Sequence, residues 1–133
     1  MSAFLDTSVV VRYLTGDPPE LAERAASIVD RVDELQVTDV VLTETAYVLT
    51  SVYQIPRDVV VDHLIAFLQK QNVSPFALDK SLVLQALLLC RPSGRVSFAD
   101  AMVWAAARSA GGEVVYSLDE RFPADGLEVR RKR

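Results

Sequence analysis

The 133-residue chain has one cysteine and one histidine. With Cys90 alone, no intramolecular disulfide can form, and a reducing, cytoplasmic location is expected. The setting LVLQALLLC makes Cys90 a packed core residue rather than a reactive thiol. His63, in DVVVDHLIAFL, has no second ligand with which to hold zinc, and a Cys or Ser nucleophile would find no histidine base. No apolar run approaches the ~20 residues of a membrane span, and nothing resembles a signal or transit sequence. Phosphate-cradling GxxxxGK[ST] and GxGxxG loops are missing too, which argues against nucleotide hydrolysis and dinucleotide binding.

Positive charge is also scarce. There are 14 Lys+Arg against 18 Asp+Glu, and four of the 14 are Arg130, Arg131, Lys132 and Arg133. The body is therefore near −8, which disfavours broad electrostatic binding of nucleic acid and suits a protein that gathers carboxylates somewhere. A single domain over residues 1–129 is expected, with 130–133 as a basic tail. The plainer reading of that tail is solvated chain, the other a phosphate contact.

What is present is half hydrophobic and patterned as short strands between helices. Strands are predicted near 3–6, 35–38, 73–78, 113–118 and 127–129. Helices are predicted over 7–14, 20–32, 39–52 (capped by Asp39), 56–70, 79–90 and from Ser97 to the Gly111-Gly112 pair. This alternation predicts an α/β fold with a short-stranded, mostly parallel sheet and helices on both faces; ligands of such sheets bind at the carboxyl ends of the strands.

Four acids fall at suggestive places. Asp6 ends the first strand, between the apolar AFL and VVV, and Asp119 ends the strand EVVYSLD in the same manner. A helix cap explains Asp6 and a turn explains Asp119 equally simply. Glu44 lies within the stripe Val41, Val48, Val52 and is expected to face inward. Asp100 follows Ser97 at capping-box spacing, in the first turn of a helix rich in small residues. Four converging carboxylates would repel one another, so a divalent cation is expected among them. All-oxygen ligands suit Mg²⁺ or Mn²⁺. That chemistry is suited to phosphodiester hydrolysis by metal-activated water. Arg12, Arg91, Arg95 and the tail are candidate RNA contacts. Repulsion also predicts that Asp6→Asn keeps or raises metal-free stability.

FLDTSVVVRYLTGD, LTETAYVL, SFADAMVWAAARSAGG and VVYSLDERF, in that order, resemble the PIN-domain family, in particular the VapC-type toxins. The resemblance implies a three-layer α/β/α fold and a metal-dependent ribonuclease. Its acidic site would be Asp6, Glu44, Asp100 and Asp119, with Thr7, Ser8 and Ser117 as polar companions. Many relatives have Asn where Ser8 stands and Thr where Ser117 stands; both alternatives hydrogen-bond. It also implies a VapB-type antitoxin partner, a toxin homodimer and a toxin–antitoxin hetero-oligomer. Tyr47, Tyr53 and Trp104 could supply such surfaces, with core packing the plainer account. The competing reading is a catalytically silent PIN module that binds RNA or protein. An aspartyl-phosphate phosphatase is disfavoured because Ser8 stands where its second Asp would be.

Overall fold

A computed structural model describes residues 2–133. The chain runs β1 (Ala3–Phe4), α1 (Thr7–Thr15), α2 (Pro19–Arg31), β2 (Leu35–Val37), α3 (Asp39–Ser51), α4 (Arg57–Leu68), β3 (Val73–Pro75), α5 (Lys80–Cys90), α6 (Phe98–Ser109), β4 (Val114–Tyr116) and β5 (Glu128–Arg130). All strand pairs are parallel, with hydrogen bonds ordering β1-β2-β3 in one sheet and β4-β5 in another. This is the expected α/β/α arrangement, with strands shorter than the apolar runs suggested. The first strand closes before Leu5, so Asp6 lies past it as the cap of α1. Helix α3 is capped by Thr38, whose Oγ1 accepts from Val41 N at 3.2 Å, rather than by Asp39. The expected cap Ser97 does open α6, and Asp79 caps α5. β5 takes in Arg130, the first residue expected of the basic tail.

Between the layers lies a core of Leu35, Leu42, Leu49, Leu64, Leu68, Leu87 and Trp104, all essentially inaccessible. Cys90 belongs to it, and burial pushes its thiol up to about 11, consistent with an inert core cysteine. Arg57 on α4 ties down the chain that leads into α6. Its guanidinium donates to the Cys90 and Val96 carbonyls and lies 4.4 Å from the Phe98 ring centroid. Those contacts bracket the 91–97 loop and so fix where α6, which bears Asp100, begins.

Thr45 is wholly buried on α3, and its Oγ1 has no hydrogen-bond partner among the described residues. An unpaired buried hydroxyl costs free energy that a methyl of the same shape does not. Thr45→Val is therefore expected to stabilise the fold by about 1 kcal/mol, with the two residues nearly equal in helix propensity. Urea unfolding checks it; an unchanged or lower midpoint would mean that the hydroxyl is satisfied.

Candidate functional site

The loop from β1 into α1 is built around Asp6. Its Oδ2 accepts from Ser8 N at 3.2 Å and from Ser8 Oγ at 2.7 Å, the geometry of a helix N-cap. The Ser8 hydroxyl, then the Ser8 amide, hold the Asp6 carboxyl below its usual range. Asp6 is exposed, so the apolar residues on either side of it in sequence do not enclose it. The next residue, Thr7, is buried, and its Oγ1 has no partner among the described residues.

Asp6, Thr7 and Ser8 open onto a cavity of about 420 Å³ that Arg12, Glu44 and Tyr53 also line. Glu44 reaches it from the exposed side of α3. The buried stripe of that helix is Leu42, Thr45, Ala46 and Leu49, so the expected stripe through Val41, Val48 and Val52 is not the one that packs. This corrects the inward-facing reading of Glu44. Its carboxylate keeps access to water and to Asp6 because the helix turns a second apolar face outward. Arg12 Nη1 donates to the Tyr53 hydroxyl at 3.3 Å and to the Asp17 carbonyl at 3.2 Å, and the Tyr53 hydroxyl is 3.4 Å from Asp17 Oδ2. Sequence pattern does not reveal Tyr53 as a wall of this cavity. Nothing local links it to Arg12, 41 residues away.

The second pair of acids comes from α6 and the chain after β4. Asp100 is half-buried in the first turn of α6, with its amide donating to Ser97 Oγ at 3.0 Å. Partial burial, then the hydrogen bond and charge of neighbouring Asp119, hold the Asp100 carboxyl above its usual range. Asp119 is oriented by a tight turn. Its amide donates to Ser117 Oγ at 3.1 Å, and its Oδ1 accepts from Arg121 N at 2.8 Å. The acids thus fall into two pairs: Asp6 and Glu44 line one cavity, and Asp119 neighbours Asp100 closely enough to perturb its carboxyl. Among the described residues no three His, Cys, Asp or Glu side chains form a ready group for one ion. Glu44 also lines an apolar groove of about 480 Å³ with Ala99, Met102 and Val103 of α6, the helix that bears Asp100.

The basic candidates fare differently. Arg91 is engaged by Asp62 of α4 in a two-pronged ion pair, 2.8 and 2.9 Å. Arg95 is exposed on the 91–97 loop. His63 lies on α4 and is exposed.

The donor set fits a hard divalent cation. It is all oxygen, one carboxyl is already held toward its protonated form by another, and an orphaned hydroxyl stands beside Asp6. No described helix is long and apolar enough to cross a membrane. Residues 3–125 match the family model for the PIN domain. No curated protein matches the chain.

Proposed function

The chain belongs to the PIN domain family, a nuclease-like fold, and from that premise we propose that it is a metal-dependent endoribonuclease and the toxin of a type II toxin–antitoxin pair. The observation that carries the catalytic part is that the turn after β4 sets Asp119 beside Asp100 in the first turn of α6. A pure binding module has no use for a half-buried carboxylate set beside a second one, whereas a Mg²⁺ or Mn²⁺ site does.

Asp100 and Asp119 would hold the ion, and Asp6 and Glu44 would complete the acidic set. When bound, it would supply activation of water and charge for the scissile phosphate. The protein's own groups prepare that arrangement. Ser8 holds Asp6 Oδ2 and Arg121 N holds Asp119 Oδ1, which fixes the orientation of both carboxylates. Ser117 fixes the turn that aims Asp119, and Ser97 fixes the first turn that bears Asp100. Thr7, buried behind Asp6, has a hydroxyl with no partner among the described residues, which leaves its proton uncommitted beside the site.

The partner reading draws support from exposed apolar surface. Val40 is 69% exposed, Tyr47 65% and Val103 50%, and all three line the α3–α6 groove beside the site. An antitoxin segment or a second copy of the toxin covering that groove would suit it. Trp104 is buried and Tyr53 half-buried, so of the three aromatic candidates Tyr47 alone offers a large free face.

Purified protein should cleave single-stranded or structured RNA with Mg²⁺ or Mn²⁺ and lose that activity in chelator. Asp119→Asn should fall by at least about a hundredfold. Expression should arrest bacterial growth, and Asp119→Asn should not. Cleavage that survives chelation would exclude the metal mechanism, and growth unaffected by the active enzyme would exclude the toxin role.

A further inference from the structure

The basic end of the chain leaves the fold at the candidate site. Strands β4 and β5 run parallel with Tyr116 opposite Arg130, so both finish at the same edge. Ser117 N donates to the Arg130 carbonyl at 2.9 Å, and Arg131 Nη1 donates to the Leu118 carbonyl at 3.4 Å. Asp119 is the next residue. Arg131 is therefore laid against the chain that presents a site carboxylate, and Lys132 and Arg133 follow it.

Most cations of this segment are also without an ion-pair partner among the described residues, as are Arg24, Arg31, Arg95 and Arg121, but only here do such cations follow one another along the chain. Arg130 is engaged by Glu128. Arg131, Lys132 and Arg133 are exposed, with no ion-pair partner among the described residues. Arg91 is held by Asp62, and Arg12 is hydrogen-bonded to Tyr53 and Asp17. On a body of net charge near −8, residues 130–133 are the longest run of positive charge that an approaching polyanion can meet.

We propose that Arg131, Lys132 and Arg133 form a phosphate clamp for the RNA strand, gripping the backbone next to the scissile phosphate while Asp100 and Asp119 act on it. This rests on the ribonuclease reading and assigns the substrate grip for the same site. Contacts of this kind carry affinity and salt dependence but no sequence preference.

The test is a triple variant, Arg131→Gln, Lys132→Gln and Arg133→Gln, whose side chains give up one hydrogen bond to the fold. Binding of an RNA oligonucleotide of about 12 nucleotides is followed by fluorescence anisotropy in chelator, from roughly 50 to 200 mM salt. Once these cations no longer neutralise phosphates, the slope of log affinity against log salt should shrink by about 2, and affinity at low salt by roughly tenfold or more. With Mg²⁺ or Mn²⁺, kcat at saturating RNA should change little while KM rises. An unchanged slope overturns the clamp, as does tighter binding or faster cleavage, which would mean that the segment shields the acids instead. The two readings fail separately. A parent chain that binds with the steep slope but never cleaves overturns the nuclease and keeps the clamp, whereas cleavage with an unaltered slope in the variant does the reverse.

Discussion

Asp100→Asn should abolish RNA cleavage, by at least about a hundredfold, and at the same time raise the melting temperature of the metal-free protein. The two effects have one origin. Partial burial and the adjacent Asp119 hold the Asp100 carboxyl above its usual range. A native state that binds a proton more tightly than the unfolded chain is favoured at low pH. The contribution of Asp100 is thus fully present below the ordinary aspartate value and is lost as pH rises through the elevated one. At neutral pH the ionised pair is a liability that an amide removes. After allowing for solvent screening at this half-exposed position, the gain is about 0.5 kcal/mol. Asp6 has the opposite sign. Its carboxyl is held low by Ser8, so its stabilisation is present above the ordinary value and lost as pH falls through the depressed one. Asp6→Asn keeps a capping oxygen but loses the charge-assisted bonds, and its melting temperature should drop. Thermal melts in chelator across pH 3 to 8 check both signs. A destabilised Asp100→Asn protein would show that Asp100 acts as a cap rather than as half of a strained pair.

That contrast reverses what repulsion alone suggests for Asp6, and it shows where sequence reasoning runs out. Both acids stand at helix starts, and capping chemistry is local, so Ser97 and Asp79 are readable as caps from a few residues of sequence. Which acid also meets another acid depends on how β4 and α6 pack, and no local pattern states that. Helix α3 makes the same point. It has two apolar faces, one through Leu42, Ala46 and Leu49, the other through Val40, Val41 and Tyr47. Periodicity identifies faces, not the one that neighbouring helices cover, and so it puts Glu44 on the wrong side. The pairing of Arg91 with Asp62, 29 residues apart, is equally hidden. The alternation of strands and helices survives because it rests on Gly, Pro and capping residues between apolar runs.

Trp104 carries the largest expected effect on stability, and one that reaches the site. The indole is 1% exposed within the core, and its Nε1 donates to the Asp125 carbonyl at 2.8 Å. Arg108, one turn on, lies 5.2 Å from the ring centroid and donates to the same carbonyl at 3.2 Å. Gly126 makes this approach possible. It has a φ of +75°, and a Cβ there would stand 2.4 Å from Arg108 Nη1. Helix α6, which presents Asp100 from its first turn, thus clasps the far end of the segment that begins with Asp119. Trp104→Ala should cost about 3–5 kcal/mol through the cavity and the lost hydrogen bond. Trp104→Phe keeps most of the ring and loses the donor, at about 1–2 kcal/mol. If the clasp sets the spacing of the two carboxylates, Trp104→Phe should also reduce kcat several-fold at temperatures where it is fully folded. The low-pH contribution of Asp100 to its melting profile should then shrink, because burial still raises that carboxyl but a displaced Asp119 adds less. Denaturant unfolding, cleavage assays and melts on the same preparation separate these effects. A Trp104→Phe protein that loses stability but keeps both kcat and the pH profile would confine the indole to the core.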